Sequence, residues 1–482
     1  MSILSELEPQ PVWSHFEKIL GIPRASGKEQ RIREHIVSLA RQAGLEHRTD
    51  ATGNLVVRMP GTPGHEQAPI LVLQSHLDMV QEKNSDVSFD FDRDAIRAQR
   101  DGAYVKASGT TLGSDNGIGV ASMLALMEAK GLVHGPLELL FTVDEETGLA
   151  GAKGLGSDLL RGRLLINVDS EEEGVLTIGC AGGADTRLYL TVGRATTPPG
   201  STSLTVGVSG LKGGHSGIDI HLQRGNAVRI VARALHAALL DHAFDIASFR
   251  GGNAHNAIPR EAHATIVTTA DARAIAARVS RELQDIAREL APAEPALQFA
   301  VTPGERVPKA WGAEATSQAL RLLVALPHGV LAMSYDIPGL VETSTNEAVV
   351  MEQDGRLAVL MSSRSSIASS LAAVRARIRA IGELAGAEVE EHAGYPGWKP
   401  DTQSRMLGAV SQAYIEIHGE PPRVGAVHAG LECGIIGEKF PGMDMISFGP
   451  QIEFPHSPDE RVKVDSVAPF WTLLTRTLER LA

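Results

Sequence analysis

Only two cysteines, Cys180 and Cys433, occur in the 482 residues. That is too few for a disulfide framework or a cysteine-based zinc site. Basic blocks are absent as well. Acidic side chains outnumber basic ones by 58 to 45, a net charge of −13, so nucleic acid and anionic membrane surfaces are excluded as partners because both need clustered Lys/Arg. No stretch reaches the roughly 18 apolar residues of a transmembrane helix. The start, Met1-Ser-Ile-Leu-Ser-Glu-Leu-Glu, lacks the basic and apolar regions of a signal peptide. The expectation is a cytoplasmic protein. There is no Gly-x-Ser-x-Gly elbow, Walker A loop or dinucleotide fingerprint, which sets aside serine-hydrolase, P-loop and Rossmann chemistry. Repeats with a period of about 20–50 residues are also missing. What is present is 43% apolar and 21% charged residues, enough for two or three globular domains.

The first 180 residues alternate between strand and helix patterns. Ile70-Leu-Val-Leu, Leu137-Glu-Leu-Leu-Phe-Thr-Val and Arg163-Leu-Leu-Ile-Asn-Val are short apolar runs of the kind found in strands covered on both faces. The run from Gly117 to Ala129 reads as a buried helix ending at a glycine cap, Lys130-Gly131. This order implies an α/β domain with a mixed, largely parallel sheet. From about residue 185 the texture changes. Strand-like runs such as Arg187–Val192, Ser203–Val208 and Arg356–Met361 mix with helical patterns near Gly225–Leu240, Asp271–Leu290, Ala313–Leu326 and Ile367–Ala385. Gly394-Tyr-Pro-Gly-Trp-Lys-Pro reads as a return linker, and Val467–Leu481 as a final helix. The expected organisation is a first domain in two parts, 1–184 and 396–482, interrupted by an α+β insertion over 185–395.

Four fragments carry chemistry. Gln74-Ser-His76-Leu-Asp78 follows a strand run, and residues two apart on a strand share a side, so His76 and Asp78 can meet. A metal-bound imidazole commonly donates its other N–H to such a carboxylate; a plain His–Asp hydrogen bond is the bland alternative. Leu112-Gly-Ser-Asp115-Asn116-Gly-Ile-Gly precedes the buried helix, where Asp115 or Asn116 could simply cap it. Phe141-Thr-Val-Asp144-Glu145-Glu146 and Asp169 follow two further strand runs, the place where open α/β sheets hold ligands. Glu171-Glu172-Glu173 reads instead as a solvated acidic turn. Far along the chain, Phe454-Pro-His456-Ser-Pro sets a histidine among prolines. Together, His76 and His456, Asp115 and Asp169, and Glu145 and Glu146 suit Zn²⁺ or a neighbouring divalent ion. If one carboxylate bridges, five ligands serve two metals and the sixth group is left for acid/base work.

With these fragments, and with Gly213-Gly-His-Ser-Gly, Val427-His-Ala-Gly-Leu-Glu-Cys-Gly and Pro455-His-Ser-Pro, nearly the whole chain resembles the di-zinc metallopeptidases with an inserted dimerisation lid. Among them it is most similar to the aminoacyl-histidine dipeptidases. The resemblance implies Asp115 as bridging ligand, His76 and Asp169 on one metal, and Glu146 and His456 on the other. It implies Glu145 as general base and Asp78 as the partner of His76. It further implies His215, from the partner subunit, as oxyanion donor, Asn256 in contact with substrate, and Arg364 with the backbone at Gly430 holding the substrate carboxylate. Without the resemblance, the segment Gly251–Pro259 that carries Asn256 reads as a hairpin loop. The implied activity is hydrolysis of Xaa-His dipeptides, including β-alanyl-histidine, by a homodimer joined through the lid and using two divalent ions, Zn²⁺ first with Mn²⁺ or Co²⁺ also suited. The rival readings are an N-acyl-amino-acid deacylase or a tripeptidase of the same group, and a non-catalytic dimeric binding protein.

Overall fold

The computed structural model describes residues 3–482. The chain divides into two compact units. The first comprises residues up to Cys180 together with Trp398–Ala426 and Leu431–Ala482; the second comprises Ala181–Gly397 with Val427–Gly430. The short return of Val427–Gly430 to the second unit has no counterpart in the sequence pattern.

The first unit is built on an eight-stranded sheet in the order Glu46–Thr49, Leu55–Met59, Leu137–Thr142, Leu71–His76, Leu164–Asn167, Asp444–Ser447, Val175–Cys180 and Arg423–Val427. Its four central strands run parallel, with His76 opposite Thr142, Gln74 opposite Asn167, and Asn167 opposite Ser447. The pairs Glu46–Thr49 with Leu55–Met59, Leu55–Met59 with Leu137–Thr142, and Asp444–Ser447 with Val175–Cys180 are antiparallel. Every residue of Leu71–His76 and Leu137–Thr142 is buried, as expected for central strands covered on both faces. The helix Ser114–Glu128 is buried almost throughout. It ends at Ala129 in an extended conformation, two residues before Gly131; Gly131 turns the chain at φ +84° instead of capping the helix. The last helix is Val464–Leu481, starting three residues before the pattern suggests.

The second unit has a nine-stranded sheet whose central strand, Val341–Gln353, pairs antiparallel with Arg356–Ser365. The helices Ala227–Leu239, Ala272–Leu290, Ala313–Ala325 and Ala368–Leu384 belong to this unit. Two of them start where the sequence supplies a cap: Asn226 accepts from the N–H groups of Val228 and Arg229, and Asp271 from those of Arg273 and Ala274. Leu188, Val206, Val231, Leu235, Ile266, Val279, Leu283 and Leu320 lie in its own apolar core. The paired strands Asp245–Gly251 and Ala262–Thr268 bracket the loop that carries Asn256.

Candidate metal centre and substrate-contact residues

The register of the parallel strands brings the donors together. His76 ends its strand, Glu145 lies three residues past Thr142, and Asp169 two past Asn167. His76 is buried, with Nε2 3.0 Å from Asp115 Oδ1 and 3.2 Å from Asp169 Oδ1. The other oxygen of Asp115 lies 3.2 Å from His456 Nε2, and Glu146 Oε2 lies 3.0 Å from that same nitrogen. Asp115 therefore faces one imidazole with each oxygen. Ligand atoms of His76, Asp115 and Asp169 lie within 4.8 Å of one another, as do those of Asp115, Glu146 and His456 and those of His76, Glu145 and Glu146.

The electrostatics of this cluster would suit a cation. Burial alone would lower the pKa of His76, but Asp169, Asp115 and Asp78 raise it well above its ordinary value. Hydrogen bonds to Asp115 and Glu146 push His456 up to about 11. The carboxylates that hold protons on these imidazoles would favour a divalent cation at the same place. Burial raises Glu145 well above the carboxylate range, with Asp169, Glu432 and Glu146 adding to it and His76 opposing it. Glu146 Oε1 is buried without a hydrogen-bond partner, an orphan that a metal would satisfy. An all-N/O set of two imidazoles and several carboxylates fits Zn²⁺, Mn²⁺ or Co²⁺.

Asp78 has a wider role than a partner for His76. Its Oδ1 lies 3.4 Å from His76 Nδ1, an ion-pair distance without hydrogen-bond alignment. The same carboxylate accepts from the backbone N–H groups of Glu145 and Glu146, 3.1 Å each, and from Ser26 Oγ at 2.7 Å. Burial opposes its charge, yet the His76, Ser26 and Glu145 contacts hold its pKa well below the carboxylate range. Asp144, Phe454 and His456, all beside donors, adopt left-handed backbone conformations, a strain typical of functional sites.

Neither Asp115 nor Asn116 caps the buried helix. Their non-helical backbone angles would suit a cap, but their side chains are turned to His76, His456, Ser75 and Asp169, and the orphan N–H groups at this end go to Glu460, which is buried. Its carboxylate accepts from the N–H groups of Leu112 (2.8 Å), Gly113 (2.9 Å), Ser114 (2.7 Å) and Asp115 (3.3 Å), and from Ser114 Oγ (2.6 Å). From the other side the buried guanidinium of Arg24 donates to the carbonyls of Leu77, Asp78 and Gly113. Sequence reasoning missed both residues. Glu460 follows His456 by four positions, the one clue to it. Below the donors, Glu432 accepts from Gln74 Nε2 and Thr142 Oγ1, and Asn167 donates to Gln74. Burial pushes Glu432 up to about 7.

Glu171–Glu173, expected as a solvated acidic turn, are partly to fully exposed. Glu172 pairs with Arg423 and Glu173 with Lys463 near the surface. Glu171 is half-buried; burial and the charges of Asp115, Asp169 and Glu146 push it up to about 8, with His456 opposing.

The expected substrate-contact residues lie in the second unit, so the expected site residues form two groups, one in each unit. His215 Nδ1 accepts the backbone N–H groups of Gly217 and Ile218. Its proton is therefore on Nε2, 3.5 Å from Arg364 Nη2: two donors converge. Burial and Arg364 lower His215 to about 4, so it is neutral near pH 7. Arg364 Nη1 donates to Tyr395 Oη at 2.9 Å. A Cβ at Gly430 would come within 2.8 Å of the Tyr395 ring, so only glycine fits there. Asn256 is exposed on its loop, and its carbonyl accepts from the N–H of Ser216. His428, 2.8 Å from Ser344 Oγ and lowered to about 3 by burial and Arg364, joins this group; it was quoted in a motif but given no role.

Known proteins resemble this chain along its whole length. Over its full length the chain is 43% identical to the cytosol non-specific dipeptidase of Escherichia coli (strain K12), covering 99% of that protein. The crystal structure of aminoacylhistidine dipeptidase from Vibrio alginolyticus superposes with a TM-score of 0.92 at 41% identity, over 99% of this chain and 98% of that one. The aminopeptidase PepT of Bacillus cereus shares the fold, with a TM-score of 0.58 at 17% identity, over 98% of this chain and 99% of the other. Residues 72–480 match the model of peptidase family M20/M25/M40, and the chain belongs to that family.

Proposed function

We propose that the chain is a metallodipeptidase that hydrolyses the peptide bond of short peptides with a free N-terminus, Xaa-His dipeptides and β-alanyl-histidine among them. The observation that carries this reading is Asp115 facing His76 with one oxygen and His456 with the other, beside a Glu145 carboxyl whose pKa burial raises. His76, Asp169, Glu146 and His456 would hold two divalent ions bridged by Asp115. Bound there, such ions polarise a carbonyl and acidify a water. Glu145 takes the water's proton at its carboxylate and returns it to the leaving amine; its raised pKa suits both directions. Asp78 orients His76 and, through the two backbone N–H groups, Glu145 and Glu146. His215 presents a neutral Nε2–H to a developing oxyanion, Arg364 pairs with the terminal carboxylate, and Asn256 and Gly430 line the substrate. Capture of that carboxylate favours a dipeptidase over a tripeptidase. The name of the Escherichia coli relative favours a broad choice of dipeptide.

A panel of β-alanyl-histidine, alanyl-histidine, alanyl-leucine, a tripeptide and N-acetyl-histidine, with metal-loaded and chelator-stripped protein, tests the proposal. Dipeptides are expected to be cleaved, and only with metal. Glu145→Gln is expected to keep two metals and lose about 10²–10⁴-fold in kcat. Faster cleavage of the tripeptide or the acetylated amino acid would move the chain to one of the rival activities. No turnover with two metals bound would leave a binding protein.

We further propose a cytoplasmic homodimer joined through the second unit. His215 and Arg364 approach within 3.5 Å in one chain, so they are taken to serve one substrate together. Dimers mixed from a His215→Ala subunit and an Arg364→Ala subunit are then expected to recover no activity. Recovery would assign the two donors to different subunits' sites.

A further inference from the structure

The segment that carries Glu145 is held by side chains. The strand Leu137–Thr142 ends just before it, and the next four N–H groups each reach a side-chain acceptor. Val143 donates to Asn54 Oδ1 at 3.2 Å, Asp144 to Glu29 Oε1 at 2.9 Å, and Glu145 and Glu146 to the two oxygens of Asp78 at 3.1 Å each. Asp78 already has a place in the site; Glu29 has none. It is buried and comes immediately before the helix Gln30–Gln42, yet its side chain makes no capping bond to that helix. Its Oε1 also accepts from the N–H of Gly27 at 2.8 Å, so one oxygen joins its own loop to a segment 115 residues away. That loop is tied in turn to the strand end that bears Asp78. Arg24 donates to the carbonyls of Leu77 and Asp78, and Ser26 Oγ to Asp78 Oδ2.

The grip matters most at Asp144. Its backbone is left-handed, φ +52°, a conformation that a residue with a Cβ keeps when its surroundings impose it. Glu29 holds the N–H on the entering side of Asp144, and the peptide on the leaving side carries the N–H that Glu145 gives to Asp78. A turn about Asp144 therefore swings Glu145. The proposed ligands have a second anchor in the ions they would hold, whereas a base that binds no metal is aimed by its backbone. Oxygens of Glu29, Asp78 and Asp144 lie within 4.8 Å of one another, a crowding of like charge. Donors meet each of them: the N–H groups of Gly27 and Asp144 at Glu29, those of Glu145 and Glu146 with Ser26 Oγ at Asp78, and Thr147 Oγ1 at Asp144. We propose that Glu29 is a positioning residue for the general base, fixing the left-handed turn at Asp144 and so the direction in which the Glu145 carboxylate leaves the chain; this rests on the metallodipeptidase reading above.

With alanyl-leucine as substrate, Glu29→Ala is expected to lower kcat about ten- to a hundredfold, the scale of a displacement on the order of 1 Å. KM should stay within about twofold of wild type, and the metal content should be unchanged. Glu29→Gln keeps an acceptor oxygen on a side chain of the same length and is expected to recover most of the loss; a role through charge alone would not be rescued. Hydrogen exchange of the chelator-stripped protein reads the grip without turnover or metal. Peptides covering 143–147 are expected to exchange at least about tenfold faster in Glu29→Ala and to slow again in Glu29→Gln, while those of Gln30–Gln42 keep their wild-type rates. An unchanged kcat, unchanged exchange over 143–147, equal acceleration through Gln30–Gln42, or loss of a metal with the side chain would each overturn the proposal. If Glu29→Ala does not fold, Glu29→Asp, whose carboxylate stops one methylene short, takes its place in both comparisons. A wild type that cleaves no dipeptide defeats the metallodipeptidase reading, whereas the exchange rates still decide whether Glu29 holds the turn.

Discussion

Glu347 shows what an isolated charge costs a fold. It is fully buried in the second unit, and among the described residues neither oxygen has a hydrogen-bond donor and its only ion-pair partner, Arg229, stands 3.6 Å away. Burial raises it from 4.5 to about 8, against the pull of Arg229. The folded chain thus keeps a proton that the unfolded chain gives up above about pH 4.5. Stability from this residue is full below that pH, falls as pH rises, and is lost by about pH 8. The change is roughly 3–5 kcal/mol. His328, its neighbour, is lowered to about 3 by burial and Arg229 and stays neutral across this window. Glu347→Gln is expected to flatten the decline relative to wild type, read by urea unfolding at several pH values. An unchanged pH slope would mean that the proton is not on Glu347.

At the scale of elements, the helix Ser114–Glu128 starts on a carboxylate from 346 residues away. Glu460→Ala would strand four backbone N–H groups and free the Asp115 loop, at a cost of roughly 3 kcal/mol or more. Thermal unfolding should show a lowered Tm, and chelator competition a weakened metal affinity. Unaltered metal binding with a lowered Tm would confine Glu460 to a structural role. Local signals revealed much of the rest. The amphipathic period of Ala272–Leu290 with Asp271 before it marked a capped helix, and apolar runs ending in His76, Glu145 and Asp169 marked strand ends with donors. Glu460 was hidden because capping by a distant side chain leaves no local trace. Arg24 was hidden because its partners are carbonyls, which every residue has.

The whole molecule consists of two units with separate cores, and the proposed metal donors all belong to the first. Ligand binding stabilises only the unit that holds it. Scanning calorimetry is expected to resolve two transitions, of which chelation lowers one by several degrees and leaves the other in place. A single transition displaced as a whole would show the units to be thermodynamically one.

The first unit is not continuous in sequence. Four of the five proposed ligands come before the second unit and His456 comes after it. Synthesis proceeds from the N-terminus, so a growing chain has already made His76, Asp115, Glu145, Glu146 and Asp169 while it still lacks His456 and the Glu460 that holds the Asp115 loop. It cannot assemble the centre until the second unit has emerged. On this ligand set, unfinished or prematurely terminated chains are expected to spare the peptides around them, with hydrolysis beginning only in a molecule translated past residue 460.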